Sequence, residues 1–313
     1  MEFTTILFQV LSLFVMMGIG VFARKKGYMS NEAKKGMTDI LIKIVTPAVV
    51  VSSFSGEFVK SKLENALIVL AGAFIMHIIL CLTSLLMYRK REKAKQAVLR
   101  FGIIFGNFGF MGFPVLQSLF GIDGVFYGAM FTAAFYLFSW TFGVSLFTKT
   151  SGLKDTVKSI LNPPFIAVIL SLLMYISPFR LPSFFQSPVD AIGAMNTPLS
   201  MLIVGSIFAD VKLKDLVKDK VMYVSVALRI LGAPIFAMLV MVVLNLITGG
   251  KFSGMPFEII VLEEAMPAGA YTAIFASKFG GDDKLASLIV AVSTALSVLT
   301  IPLVAWLMGV CGI

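Results

Sequence analysis

The chain has 313 residues, of which 58% are hydrophobic and 14% are charged, and its mean hydropathy is +0.95. A soluble globular protein is about 45–50% apolar and about 25% charged, so the composition excludes soluble, disordered and collagen-like chains. The two cysteines lie in apolar runs and the chain has one histidine, which excludes a disulfide framework and the two-histidine zinc motifs. The composition predicts an all-α membrane protein without a metal centre or cofactor.

Apolar segments that could cross a bilayer recur along the whole chain. The hydrocarbon core is roughly 30 Å thick, and about 20 apolar residues span it as a helix. The sixth segment is short, and the fourth and ninth are interrupted by Gly and Pro. We predict ten transmembrane helices, at Phe3–Ala23, Thr38–Phe54, Leu67–Tyr88, Gln96–Phe120, Val125–Phe147, Pro163–Ile176, Val189–Phe208, Val221–Ile247, Phe257–Phe279 and Leu285–Met308.

The net charge of +9 comes from 26 Lys and Arg against 17 Asp and Glu, and it is distributed unevenly between the two sides of the predicted bundle. Nineteen Lys and Arg lie in loops after odd-numbered spans, and four lie in the loops on the other side. Because cytoplasmic loops are enriched in Lys and Arg, both termini are expected on the extracytoplasmic side of the cell membrane. The distribution accounts for the charge without a nucleic-acid partner.

Two stretches, one in each half of the chain, share residues at a constant spacing. Asp39, Thr46, Pro47 and Ser55 of the second span recur 151 positions later as Asp190, Thr197, Pro198 and Ser206. Prolines also interrupt the fourth and ninth spans. Five spans per unit would place the second copy in the opposite orientation, as in many secondary transporters. The pattern predicts a 5+5 inverted repeat, residues 1–150 and 151–313.

The interruptions of the fourth and ninth spans are the strongest indication of a site. Residues 106–114 hold three glycines and Pro114, and Pro267 interrupts the ninth span. A half-helix that starts after each proline exposes unpaired N–H groups and the positive end of its dipole. Two such ends meeting at mid-membrane would bind an anion, most simply a carboxylate. A simple kink is the alternative.

Several ionisable residues lie within the predicted spans. Glu263 and Glu264 precede the second break, where freed carbonyls and a carboxylate would attract a proton or a sodium ion. Adjacent helical residues point about 100° apart, so one of the two glutamates is expected to face the cavity.

Four further residues have a structural and a functional interpretation. Asp39 and Lys43 would form an ion pair one helical turn apart, or would take part in substrate binding and coupling. Arg229 would be a counter-charge for the substrate or a structural partner. His77 would relay protons or pack in the core.

The motif Asn107-x-Gly109-Phe110-x-Gly112-x-Pro114, the segment Ala265-Met266-Pro267 and the pair Thr46-Pro47 resemble the auxin efflux carrier family. Its bacterial members include malonate and organic-anion permeases, and its plant members are the PIN transporters. The resemblance implies a fold like that of bile-acid symporters and sodium/proton antiporters, with crossover helices 4 and 9 broken. It also implies a scaffold domain of helices 1, 2, 6 and 7, a transport domain of helices 3–5 and 8–10, and a homodimer.

The motifs and the resemblance together predict a secondary active transporter that moves a small organic anion by alternating access, with proton coupling favoured. The expected substrate-binding residues are Asn107, Gly109, Gly112, Pro114, Ser118, Pro267, Ala270, Tyr271, Thr46 and Asn196. The expected coupling residues are Glu263, Glu264, Asp39 and Lys43. A sodium-coupled uptake carrier like the bile-acid symporters is the alternative, while an intramembrane enzyme or a channel is less compatible with the sequence.

Overall fold

The computed structural model describes residues 3–148, 157, 160–210 and 220–311. Within these ranges the regular structure is helical, apart from one isolated β-bridge. The helices are α1 (Phe3–Lys25), α2 (Asn31–Phe54), α3 (Lys60–Ser84), α4 (Lys93–Ile104), α5 (Phe108–Phe120), α6 (Ile122–Phe147), α7 (Pro163–Ile176), α8 (Ser183–Ala209), α9 (Lys220–Thr248), α10 (Met255–Glu264), α11 (Tyr271–Phe279) and α12 (Asp283–Cys311).

Seven of these helices, namely α1, α2, α3, α6, α8, α9 and α12, are at least 22 residues long and apolar enough to cross a membrane. The helices α5 and α7 are apolar but shorter. The predicted fourth segment consists of α4 and α5, and the predicted ninth consists of α10 and α11, with non-helical residues between them. Both α2 and α3 begin about seven residues before the predicted boundaries, because polar residues extend the helices beyond their apolar part.

Three helices contain a π-helical segment that ends two residues before a proline, and α6 contains a fourth π-helical segment, Ser139–Gly143, without a proline after it. The three segments that precede a proline are Leu41–Val45 before Pro47, Phe108–Gly112 before Pro114 and Leu228–Gly232 before Pro234. Proline has no N–H to donate to the preceding turn, and its ring crowds the carbonyl there. A widened turn relieves this conflict without ending the helix. The prolines therefore reshape these helices rather than interrupt them.

Helix α8 packs against α1 and α2 almost backbone to backbone. A Cβ atom on Gly20 would collide with the backbone of Leu202, and one on Gly205 would collide with that of Met17. At the α2 contact, a Cβ on Gly193 would lie 3.0 Å from the Cα of Val49. Small residues allow this close approach, which is common between membrane helices. The three helices form a compact unit next to the two interrupted segments.

Candidate functional site

The two interruptions meet in the interior and pair with each other. The peptide N–H of Asn107 donates a hydrogen bond to the carbonyl of Pro267 at 2.7 Å, and that of Gly269 donates to Phe105 at 3.0 Å. Between them, Gly106 and Ala268 form the antiparallel bridge. Non-helical backbone at membrane depth requires such partners, because the surroundings provide no water. The crossing is therefore a pair of mutually bonded segments.

Glycine is required at both sides of this crossing. A Cβ on Gly269 would lie 2.7 Å from the carbonyl oxygen of Gly106, well inside van der Waals contact. A Cβ on Gly106 would collide with the guanidinium of Arg229 and approach the ring of Phe108 to 2.6 Å. The sequence analysis did not select these two glycines as site residues, although both lie beside the predicted breaks.

The first break is not where the sequence predicted it. Helix α5 begins at Phe108, before Pro114, so the expectation that the half-helix starts after this proline is wrong. Pro114 is the seventh residue of α5, and the π-helical turn Phe108–Gly112 before it relieves the conflict between the proline ring and the preceding carbonyl. The interruption falls instead at 105–107, where the backbone pairs with the opposite segment. The second break does include Pro267, and α11 begins four residues after it.

The first turns of α5 and α11 converge on one cavity. From these two helix starts, Asn107, Phe108, Gly109, Phe110, Ala270 and Tyr271 line it, and Gly106, Ile42, Thr46, Phe135, Tyr136 and Pro164 complete the wall. At these ends the N–H groups of Met111, Thr272 and Ala273 already donate to the carbonyls of Asn107, Gly269 and Ala270, and the N–H groups before them have no acceptor further back in their own helix. The dipole also places positive charge at this end of a helix. Two helix starts facing one cavity suit a negatively charged group. In this conformation the cavity has a volume of about 10 Å³, the space of one water molecule, so a carboxylate would enter it only after the walls move apart.

Five of the predicted binding residues, namely Thr46, Asn107, Gly109, Ala270 and Tyr271, share this cavity. Asn196 lies behind Thr46, whose hydroxyl donates to its side-chain oxygen at 3.4 Å. Both side chains are buried at the contact between α2 and α8.

The remaining predicted binding residues lie outside the cavity wall. Pro267 participates through its carbonyl in the crossing, and Pro114 is buried within α5. Ser118 is half-buried and does not line the cavity. Gly112 faces the carboxylate of Glu263, with which a Cβ at this position would collide.

Arg229 lies beside the crossing, next to Gly106, and is completely buried. Its Nε donates to the carbonyl of Met266 at 2.9 Å, and Nη1 donates to those of Ile103 and Ile104 at 2.9 and 3.3 Å. Nη2 donates to the carbonyls of Glu264 and Glu263 at 3.0 and 3.4 Å. One guanidinium therefore satisfies carbonyls at the ends of α4 and α10, which a helix end leaves unpaired.

The two adjacent glutamates have different surroundings. Glu264 accepts a hydrogen bond from Nη1 of Arg229 at 3.0 Å, and both side chains are fully buried in this ion pair. Glu263 is also fully buried, but neither of its carboxylate oxygens has a hydrogen-bond partner in the described part of the chain. It lies between Gly112 of α5 and Gly128 of α6. An ionised carboxylate in such a place is costly, so Glu263 suits the binding of a proton or a cation.

Asp39, Lys43 and His77 also have partners in the structure. Lys43 and Asp39 form an ion pair at 2.9 Å on the exposed side of α2. His77 stacks on Phe138 and lies among further phenyl rings, with Nδ1 2.8 Å from the carbonyl of Ala73. This geometry matches the packing interpretation of His77.

A second, wider cavity of about 1160 Å³ lies next to the first. The two cavities share Ile42, Phe110 and Ala270, so the wider one extends to the crossing. Its outer wall includes four lysines, namely Lys34, Lys35, Lys278 and Lys284, together with Asp39, Asp210 and Asp283. The wider cavity is called the vestibule below.

Comparison with known proteins places this architecture among membrane carriers. A family model described as "Membrane transport protein" matches residues 5–305, and the chain belongs to this family, the auxin efflux carriers. It is similar to an uncharacterized transporter of Methanocaldococcus jannaschii, with 24% identity over 96% of this chain and 97% of the relative. An uncharacterized transporter of Methanothermobacter thermautotrophicus is 23% identical over 94% and 95%. The family and these names indicate a multi-pass membrane transporter rather than an enzyme.

Proposed function

We propose that this protein is a secondary active transporter of a small organic anion, such as a mono- or dicarboxylate. The observation that carries the proposal is the convergence of two helix starts, at Phe108 and Tyr271, on one cavity. Their first-turn N–H groups would hold the carboxylate, and Asn107, Thr46 and Tyr271 would provide polar side chains beside it. A pair of opposed helix starts at a crossing is typical of carrier binding sites.

Alternating access requires two bodies that move against each other around the site. We assign α1, α2, α7 and α8 to a scaffold domain and the remaining helices to a transport domain, with ten spans in two inverted repeats of five. The backbone-close packing of α8 on α1 and α2 supports a rigid scaffold. The cavity wall supports the division, because Thr46 and Pro164 come from one group and Asn107 and Tyr271 from the other. The family resemblance adds a homodimer in the bilayer to this proposal.

The position of the vestibule indicates the side of the membrane to which this conformation is open. With both termini on the extracytoplasmic side, the lysines at its mouth would lie in the cytoplasm, and the conformation would be open inward. These lysines would also raise the local concentration of an anionic substrate. The opposite, outward-open conformation would need the vestibule to close around Ile42, Phe110 and Ala270.

We assign coupling to Glu263 and favour a proton over sodium. The charge of Glu264 is already neutralised by Arg229, whereas Glu263 has no partner in the described part of the chain. Protonation of Glu263 would remove the free-energy cost of a charge in an apolar site. Protonation and release during the cycle would link substrate movement to the proton gradient. Sodium at Glu263 remains the alternative.

The test combines binding with transport. Purified protein is screened by thermal shift against carboxylic acids, with and without sodium at two pH values, and hits are tested for uptake into proteoliposomes. A carrier gives a stabilising acid and saturable uptake of that acid, whereas a channel gives uptake that does not saturate. Absence of any stabilising or transported acid would contradict the proposal. Ser145→Ala, an exposed position on α6, provides a control variant away from the site.

A further inference from the structure

The proposed function leaves one buried feature unexplained, namely the set of oxygen atoms that accept hydrogen bonds from Arg229. Five backbone carbonyls accept from its guanidinium at 2.9–3.4 Å, and a carboxylate oxygen of Glu264 accepts at 3.0 Å. All six oxygens come from the ends of α4 and α10 or from Met266, two residues after α10 ends. We call these six oxygens the carbonyl cradle.

The carbonyl cradle would be a cation site if Arg229 were absent. The ends of two helices bring negative dipole ends together in a medium that stabilises charge poorly. In carriers, unwound carbonyls and helix C-terminal ends of this kind coordinate a coupling sodium ion. In the described part of this chain, no three His, Cys, Asp or Glu side chains gather as a metal site. Six oxygen atoms, one of them from a carboxylate, thus surround a position that already holds a monovalent cation, the Arg229 guanidinium.

We propose that the Arg229 guanidinium is a tethered cation that permanently fills the carbonyl cradle in place of a sodium ion. The crossing is then complete without sodium, and Arg229 acts as a positioning residue for both half-helices. The consequence of this inference for ion coupling rests on the proposed transport function. The occupancy of the carbonyl cradle by Arg229 does not depend on that function. The inference excludes sodium from the carbonyl cradle and leaves the Glu263 carboxylate as the place where a coupling ion would bind.

The residues around position 229 fit the size and the hydrogen-bond donors of an arginine side chain. The guanidinium is a planar fork with five N–H donors, and Nε and both Nη atoms are used here on acceptors from two helices. Gly106 supplies the space, because a Cβ there would collide with Nη2. The ring of Phe108 lies 5.3 Å from the guanidinium carbon and covers it on one side. In the described ranges the guanidinium forms its ion pair with Glu264, so a negative side chain of the carbonyl cradle is already balanced.

The experiment measures the melting temperature of the purified full-length protein in sodium chloride and in choline chloride at equal ionic strength. We expect the wild type to melt at the same temperature in both salts. Arg229→Ala should melt lower in choline, and both sodium and low-millimolar free guanidinium should restore part of the loss. Adding Glu264→Gln to Arg229→Ala should abolish the sodium response, because it removes the charged oxygen from the carbonyl cradle.

Arg100→Ala is the matched control. Arg100 also donates to backbone carbonyls, those of Leu85 and Met87, but outside the crossing. Its variant should not be stabilised by sodium or by guanidinium. If Arg229→Ala does not fold, Arg229→Lys keeps a charge and should remain insensitive to sodium at a lower melting temperature.

Two results would overturn the inference: a sodium-dependent rise in the wild-type melting temperature, or equal responses of Arg229→Ala and Arg100→Ala. The proposed function fails in a different way, namely when no carboxylic acid stabilises the wild type. The two failures are therefore distinguishable on the same samples.

Discussion

The peptide nitrogen of Asn107 and the carbonyl oxygen of Pro267 are 2.7 Å apart and form a hydrogen bond between the two halves of the chain. The bond uses backbone atoms, so it leaves the amide side chain of Asn107 free to serve the cavity. Substitution of that side chain should then separate binding from folding.

We expect Asn107→Ala to impair transport with little loss of stability. A hydrogen bond to a charged group contributes about 1.5–3 kcal/mol, so uptake at low substrate concentration should fall about tenfold to a hundredfold. Proteoliposome uptake and the melting temperature are measured together, with Ser145→Ala as the control. Unchanged uptake in Asn107→Ala would remove this residue from the proposed site.

Gly269→Ala should destabilise the crossing. The added methyl group would meet the carbonyl of Gly106 at 2.7 Å, and overpacking of this kind costs about 1–3 kcal/mol. Gly18→Ala is the control, because a Cβ on this α1 glycine meets no atom within 4 Å. Thermal denaturation should show a lower melting temperature for Gly269→Ala and an unchanged or slightly higher one for Gly18→Ala. Equal melting temperatures would contradict the close approach.

The two glutamates should respond differently to the same substitution. Glu263→Gln removes a carboxylate that has no partner, so the protein should fold and lose the pH dependence of uptake. Glu264→Gln leaves the Arg229 charge buried without its counter-charge, which costs about 3–5 kcal/mol. Its main effect should therefore be a lower melting temperature.

Uptake by both glutamate variants is measured from mildly acidic to mildly alkaline pH, with and without sodium. If Glu263→Gln retains the wild-type pH dependence, this residue is not the coupling group. If Glu264→Gln melts at the same temperature as the wild type, the buried ion pair between Arg229 and Glu264 does not stabilise the protein as its geometry predicts.

Asp210 should contribute to stability at neutral pH but not in acid. Burial opposes its ionisation, but hydrogen bonds from Arg24 and Lys34 outweigh this and lower the pKa of Asp210. A carboxyl whose pKa is lower in the folded protein stabilises it above its unfolded pKa, and the contribution disappears as the pH falls through the folded pKa. Asp210→Asn should thus melt lower than the wild type at neutral pH, and the difference should shrink in acid. Glu57→Gln, at an exposed position between α2 and α3, is measured alongside as the control substitution.

The orientation is tested by cysteine labelling. In a background with Cys311→Ala, Lys90→Cys and Lys251→Cys should react from opposite sides of the membrane. The first should be labelled from the cytoplasm and the second from outside, following the distribution of Lys and Arg. Cys81 is buried and should not react in the folded protein. Labelling of both from the same side would contradict the proposed topology.

The sequence predicted the class of protein and the two interruptions, because hydrophobic length and clustered Gly and Pro are local signals. It misplaced the first break, since Pro114 marks a widened turn and the actual gap depends on pairing with residues 265–270. It also left the role of Arg229 open. That role depends on carbonyls of Ile103 and Ile104, which are distant in sequence, and no local pattern indicates them. The cavity residues and the coupling residues stay predictions until transport is measured.

The guanidinium that closes the ends of α4 and α10 has a consequence for synthesis of the chain. Helix α4 leaves the ribosome long before α9, which carries Arg229, and it has only 12 residues. Until α9 follows, the carbonyls of Ile103 and Ile104 lack the donor that they have in the folded protein. We therefore expect the first half of the chain to reach its final packing only after the second half has been made.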